Sequence, residues 1–287
     1  MSGLRLVDPG PLSLVQDLGR GSVAAQGVSK SGAADLASHS LAQRLCGNHP
    51  SAAGIEVLFG PLSLITEQAC IIAVTGAAVD VRVDGVLQGE NNAFEVRRGA
   101  QVSLSRAASG ARAYISVRGG IAVPPVLGSR ARDTLGGIGP DPLVAGDVLP
   151  IGDLAIDTVF FEVAPVRSPA AEIVLSIAPG PHDDALDAAG WVALAQTAWQ
   201  LDPRSDRIGY RLAGAALKAP ASDLASFPVL PGCVQLPGDG RPVILGPDSG
   251  VTGGYPVLGV IDQRGLDALA QARPGAAVRL RRSRLHG

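Results

Sequence analysis

The sequence predicts a mainly β protein with a few short accessory helices, and three observations predict it. Glycine (37) and proline (22) make up about a fifth of the 287 residues, alongside a hydrophobic fraction of 46%. That combination means many short elements joined by turns rather than disorder. A turn glycine followed by apolar residues three and five positions on recurs three times: Gly99-Ala100-Gln101-Val102-Ser103-Leu104, Gly146-Asp147-Val148-Leu149-Pro150-Ile151 and Gly275-Ala276-Ala277-Val278-Arg279-Leu280. Period two is the strand period, and such turn-then-strand units suit a β-barrel or sandwich. Helical patterning is confined to three short stretches.

The first helix is expected over residues 33–46, with Leu36, Leu41 and Leu45 as its apolar stripe, Ser31 capping its start and Gly47 ending it. Ile71-Ile72-Ala73-Val74 reads as a buried strand ending at Thr75-Gly76. Val81-Arg82-Val83-Asp84-Gly85-Val86 alternates and turns at Asp-Gly, a hairpin signal. Tyr114-Ile115-Ser116-Val117 is a further strand, stopped by Gly119-Gly120. A second helix is expected over residues 184–200, weakened by Gly190 and by Trp191 and Trp199 on different faces. Lys218 sits at a strand end, Gln235 lies in a strand bounded by prolines, and a short third helix covers residues 266–272 before Pro274. Length suggests about two domains. The proline-bearing stretch 153–169 reads as their connection, giving an N-terminal domain over 1–168 and a C-terminal domain over 169–287, with room for segments to interleave.

Several function classes are excluded. A net charge of −2 and 3% aromatics offer no electrostatic or stacking case for nucleic acid. His39, His49, His182 and His286 are scattered without metal-ligand spacing, so each reads as a surface or helix residue and no metal is expected. Cys46, Cys70 and Cys233 form no CxxC pair and read as buried, reduced thiols. No G-x-x-x-x-G-K-[ST] or G-x-S-x-G motif is present. Lys30 and Lys218 are the only lysines, and neither lies in an Ala-Met-Lys-Met biotin site, so biotin would have to be carried by another chain. The N-terminus lacks a signal-peptide pattern, and no run reaches the ~18 apolar residues of a spanning helix. A cytoplasmic protein is the expectation.

Three polar constellations remain. Asp17 and Arg20 lie three apart in a Gly-flanked loop, as either a mutual ion pair or a site; Ser31 and Gly32 follow at the opening of the first helix. Arg204, Arg207 and Arg211 cluster with Asp206, as a carboxylate- or phosphate-gripping group or as a structural network. Gln235 precedes Gly246-Pro247-Asp248-Ser249-Gly250-Val251-Thr252-Gly253-Gly254-Tyr255-Pro256, where flexible backbone and directed hydrogen-bonding groups coincide.

Val15-Gln16-Asp17-Leu18-Gly19-Arg20, Ser31-Gly32-Ala33-Ala34-Asp35, Gly47-Asn48, Gly128-Ser129-Arg130, residues 205–212, Pro231-Gly232, Gln235 and residues 252–256 stand in a fixed order. In that order they resemble the biotin-dependent carboxyltransferase family also called allophanate hydrolase subunit 2, from about Leu4 to Leu280. Its members include the C-type subunit of the bacterial ATP-dependent 5-oxoprolinase and the antagonist of the Kip kinase inhibitor. The resemblance implies two cyclophilin-like β-barrel domains. It implies an obligatory partner, the B-type subunit or allophanate hydrolase subunit 1 (Kip-inhibitor-like) protein, together with an A-type partner. ATP would be bound by or with a partner.

The implied activity is opening of the lactam of 5-oxo-L-proline to L-glutamate by a hetero-oligomer whose isolated C-type chain is inactive. The alternatives are carboxyl transfer from a partner's carboxybiotin to urea or a similar amide, and a regulatory protein that binds a Kip-type inhibitor. Within such a site, Arg207 or Arg20 would grip a substrate carboxylate. Asp248 or Asp17 would orient a water or amide proton. Gln235, Thr252 and Tyr255 would hold the amide, with Ser31, Gly253 and Gly254 lining the ligand. Asp17, Asp248 and Tyr255 are thus the expected catalytic residues. The chain departs from the family pattern at Ser249, Gly250 and Val251, where Arg, Gln and Thr are expected, and at Ala34, where Met is expected.

Overall fold

A computed structural model describes residues 3–21, 23–159, 164–165, 172–219 and 224–283. The boundary expected at 168/169, the apolar Phe160-Phe161 and His286 lie outside the described residues. The chain forms two compact units that interleave in sequence: Met1–Gly21, Ser31–Asp133 and Gly137–Pro169 build the first, and Ser22–Lys30, Thr134–Gly136 and Ala170–Gly287 the second.

In the first unit, β1 (Gly3–Asp8) and β2 (Leu12–Gln16) precede α1 (Leu36–Leu45). The strands β3 (Gly54–Leu58), β4 (Leu62–Thr66), β5 (Cys70–Ala78), β6 (Val81–Val83), β7 (Val86–Leu87), β8 (Ala93–Val96), β9 (Gln101–Leu104), β10 (Ser109–Val117) and β11 (Val148–Pro150) follow. One sheet has the order β11-β1-β4-β9-β6-β7 and the other β2-β3-β10-β5-β8. Alternate residues of both sheets, such as Leu4, Leu64 and Val102 from one and Val15, Ile55 and Ile115 from the other, share one core. Where the sequence suggests a barrel, the strands are therefore distributed over two sheets facing a common interior.

β10 is buried on both faces. Ala113, Ile115 and Val117 face the shared core, so by alternation Arg112, Tyr114 and Ser116 lie on the opposite face, where α1 packs against β5 and β10. The three glycines of the recurring pattern all take left-handed backbone, at φ 80° (Gly99), 94° (Gly146) and 83° (Gly275), and each leads into a strand. The Asp84-Gly85 hairpin forms as expected between β6 and β7. β5 continues through Thr75-Gly76 rather than ending there, its irregularity absorbed by a register shift against β10.

The second unit contains β12 (Glu172–Pro179), α2 (Ala188–Gln196), β13 (Trp199–Leu201), β14 (Gly209–Ala213), β15 (Phe227–Pro228), β16 (Cys233–Gln235), β17 (Val243–Leu245), β18 (Thr252–Gly253), β19 (Val257–Val260), α3 (Gln263–Gln271) and β20 (Ala277–Arg282). Seven strands close into a barrel in the order β12-β19-β16-β17-β14-β13-β20. The first and last strands meet in parallel register, Leu175 opposite Leu280. Its core joins Ile177, Trp199, Tyr210, Val234, Ile244 and Leu280 to Trp191 of α2 and Leu269 of α3. β15 and β18 form a separate two-stranded ribbon.

Three local expectations are corrected. Ser31 does not cap α1: it and Gly32 take left-handed backbone at φ 55° and 91°, and the helix starts at Leu36, where the Asp35 carboxylate accepts from Ser38 N. The buried face of α1 carries His39, Ala42, Gln43 and Leu45, because the sheet face beneath it is polar. The second helix is shorter than expected. Thr197 is extended, and Trp199 belongs to a barrel strand, which is why the two tryptophans do not share a helical face. Lys218 lies in irregular backbone after β14, not in a strand.

Candidate functional site

In the first unit, the loop after β2 carries Asp17 and Arg20. The Asp17 carboxylate accepts from Gly19 N (2.8 Å), the Ser129 hydroxyl (2.6 Å) and Arg130 N (2.7 Å). Arg20 is 2% exposed and donates from Nη2 to the Ala131 carbonyl at 2.6 Å. Both groups thus bind the 129–131 segment. The Ser31-Gly32 turn lies against the same loop: Ala33 N donates to the Asp17 carbonyl, and a Cβ on Gly32 would stand 2.7 Å from Gly19 N. Ser31 is buried, and its Oγ has no hydrogen-bond partner among the described residues.

Beneath α1 lies a polar network that the sequence reading misses. Glu56 and Tyr114 are direct cross-strand neighbours. The Tyr114 hydroxyl donates to Glu56 Oε2 (2.8 Å) and accepts from Asp35 N (2.8 Å). Ala34 N also donates to Glu56 Oε2 (2.9 Å), and Arg112 Nε stands 3.3 Å from Oε1. Burial pushes the Tyr114 phenol well above its usual range, with Glu56 and Asp35 adding to the effect. Burial lowers His39, against the opposing pull of Asp17, Glu56 and Asp35. The signal in the sequence is an acid within an otherwise apolar strand, Gly54-Ile55-Glu56-Val57-Leu58.

In the second unit, the arginine cluster separates. Arg204 pairs at the surface with Asp202, whose carboxyl is held below its ordinary range chiefly by that bond. The Asp206 carboxylate accepts from Ile208 N and Gly209 N, and Arg211 is exposed. Arg207 alone turns inward. Its Nε and Nη2 meet the two Asp248 oxygens at 2.8 and 2.9 Å, with Arg207 4% and Asp248 0% exposed. Asp248 Oδ2 also accepts from Thr134 N (3.0 Å) and Oγ1 (2.7 Å). The backbones are close as well: Asp248 N donates to the Arg207 carbonyl, and a Cβ on Gly246 would stand 2.3 Å from that oxygen. Thr134 has no signal in the sequence; it lies 114 residues from Asp248.

This anchored loop leads into the β15–β18 ribbon, where Phe227 pairs with Gly253 and Pro228 with Thr252. Thr252 and Tyr255 are exposed, Tyr255 by 52%, and Gly253 and Gly254 are half-buried. Gln235 is buried beneath them: a Cβ on Gly253 would stand 2.6 Å from its Nε2. A hydroxyl, a phenol, an amide and glycine backbone therefore lie together on a fixed base. Such a set can hold a carbonyl or an anionic oxygen by directed donors. An open groove of about 740 Å³ in the first unit, lined by Cys70, Glu95, Arg97 and Arg118, contains none of the expected catalytic or ligand-binding residues.

Residues 26–282 match the model of the carboxyltransferase domain, subdomain A and B. The chain is 34% identical to the C-type subunit of 5-oxoprolinase from Escherichia coli over 96% of its own length and 89% of that protein. Among solved structures it superimposes on TTHA0988 with a TM-score of 0.88 at 33% identity, covering 98% of this chain but only 56% of that one. The Kluyveromyces lactis urea carboxylase gives a TM-score of 0.88 at 27% identity, covering 97% of this chain and 27% of that one. The chain thus spans about half of the first of these solved chains and about a quarter of the second. With the fold, the ordered motifs and the comparisons in agreement, the chain belongs to the carboxyltransferase domain family, subdomains A and B.

Proposed function

We propose that the chain is the C-type subunit of an ATP-dependent 5-oxoprolinase, acting in the cytoplasm with B- and A-type partners and inactive alone. The observation that carries this reading is the 34% identity to the C-type 5-oxoprolinase subunit across 96% of the chain. Its barrel is read as cyclophilin-like.

Opening the lactam adds water across an amide C–N bond: the ring carbonyl carbon gains oxygen and the ring nitrogen gains a proton. An unactivated lactam resists this, and ATP would supply the activation. Arg20, the cation of the Gly19-Arg20-Gly21 loop, is 2% exposed and donates to the Ala131 carbonyl, which supports a structural role for it over phosphate binding. In this reading ATP is bound by or with a partner. Biotin, if used, would also reside on a partner.

The chain's own contribution is positioning and charge stabilisation. Thr252 in the ribbon and Tyr255 in the turn after it offer exposed hydroxyls, and Gln235 offers an amide beneath Gly253. Oriented donors around a developing oxyanion are worth about 10²–10³ in rate. Arg207 and Asp248 bind each other in the described geometry, which favours a role in holding the 246–250 loop over direct contact with a carboxylate. Asp17 holds the 129–131 segment in the same manner. Ser249, Gly250 and Val251 depart from the family pattern directly before Thr252, and tune which amide is accepted.

The second reading, carboxyl transfer to urea, is favoured by the family's description and by the likeness to urea carboxylase. Deletion of the gene separates the two. Loss of growth on 5-oxoproline as sole nitrogen source, with growth on urea intact, supports lactam opening; the reverse pattern refutes it.

A further inference from the structure

In the sequence, His182 reads as an ordinary surface or helix position. It follows β12 in Pro179-Gly180-Pro181-His182 and is the only imidazole among the described residues of the second unit. Two backbone bonds join this turn to β19: Gly180 N donates to the Leu258 carbonyl and His182 N to the Val257 carbonyl. Val257 N in return donates to His182 Nδ1 at 3.3 Å. The other side of the ring packs on Phe227, with centroids 4.9 Å apart at 45°. Phe227 pairs with Gly253, and Val257 pairs with Gln235. The imidazole is therefore wedged between the ribbon that carries Thr252-Gly253-Gly254-Tyr255 and the strand that follows it.

An amide N–H that donates to Nδ1 occupies the lone pair of that nitrogen. The ring is then the tautomer with its proton on Nε2. It has no free lone pair with which to act as a base, and offers one N–H donor at a half-buried position. Of the two acids that follow it, Asp183 pairs with Arg282, whose guanidinium covers Trp191, and Asp184 is exposed.

We infer that His182 is a fixed hydrogen-bond donor to the ligand of the Thr252–Tyr255 loop, its Nε2–H serving a carbonyl or anionic oxygen. Only the identity of that oxygen, the lactam oxygen or its activated form, rests on the proposed function. The role is that of an electrophile, not of a proton shuttle.

Two measurements test it. Nitrogen-15 NMR of the full chain at neutral pH is expected to show His182 with Nδ1 unprotonated and Nε2 protonated; an Nδ1–H tautomer overturns the inference. In the assembly with its partner subunits, His182→Phe keeps the packing on Phe227 and removes the donor, and is expected to lower kcat/KM by about 10²-fold. His182→Gln, whose amide can place an N–H near the Nε2 position, is expected to regain most of that loss and to keep the parent's pH profile. A Gln variant as slow as Phe that also loses a limb of the pH profile would make His182 an acid–base group. A Phe variant as fast as the parent would remove it from the site. If the parent assembly fails to turn over 5-oxoproline at all, the proposed reaction falls, and the ring tautomer still decides the donor assignment.

Discussion

Removing the Asp248 carboxylate should unfold the second unit far more readily than any surface change. The carboxylate is fully buried and accepts four bonds, two from Arg207 and two from Thr134. At about 1.5–3 kcal/mol for each bond to a charged group, the gross loss is about 6–12 kcal/mol. Relaxation and entry of water reduce this to the about 3–5 kcal/mol typical of a buried pair broken on one side. Asp248→Ala takes the carboxylate partner from the buried Arg207 guanidinium, whereas Asp248→Leu combined with Arg207→Met removes both charges and should cost less than the single change. Both tryptophans, Trp191 and Trp199, sit in the barrel core, so their fluorescence reports this unit. With a urea slope of about 2 kcal/mol per molar, the midpoint for Asp248→Ala should fall by about 1.5–2.5 M. A midpoint within about 0.5 M of the parent, or a double variant worse than the single, would refute the view that this pair anchors the 246–250 loop.

Other outcomes follow from the same geometry. Gly253→Ala should lower kcat/KM of the assembled enzyme while leaving the urea midpoint nearly unchanged, because the new methyl comes too close only to the side-chain end of Gln235 and meets Val229 at an ordinary 3.5 Å. Gly246→Ala should destabilise the barrel, since there the obstacle is the Arg207 backbone carbonyl. Burial lowers His39 from its ordinary 6.5, so the folded chain takes up that proton at a lower pH than the unfolded chain does. The first unit should therefore lose stability as pH falls from about 7 towards 5, and His39→Gln should flatten that slope in urea titrations followed by circular dichroism. Tyr114→Phe strips Glu56 of a donor and Asp35 N of its acceptor, and should cost about 1–3 kcal/mol in the same titration. With its thiol pushed up to about 12 by burial, Cys46 should resist thiol reagents at neutral pH until the chain is unfolded.

Local patterning makes the strands legible. The three Gly-led repeats become β9, β11 and β20, and Asp84-Gly85 becomes a hairpin, because turn glycines and alternation act over a few residues. Long-range closure is not legible. Nothing local states that β12 and β20 pair in parallel, or that the first unit divides its strands between two sheets. The same limit governs the candidate site. Arg207 and Asp248 stand out by type, but their bond spans 41 residues, and Thr134 completes it from 114 residues away. Ser31 suits a cap by residue type, while its left-handed backbone does not. His39 reads as an ordinary helix position, since nothing in its neighbours reveals that the sheet face beneath α1 is polar.

The most direct test of the central claim is ATP hydrolysis dependent on 5-oxoproline, measured with the B- and A-type partners present and with this chain supplied or omitted. The expected result is stoichiometric ADP and glutamate only when all components are present, with none from this chain alone. Full turnover without the chain, turnover by the chain by itself, or hydrolysis driven by urea in place of 5-oxoproline would contradict it.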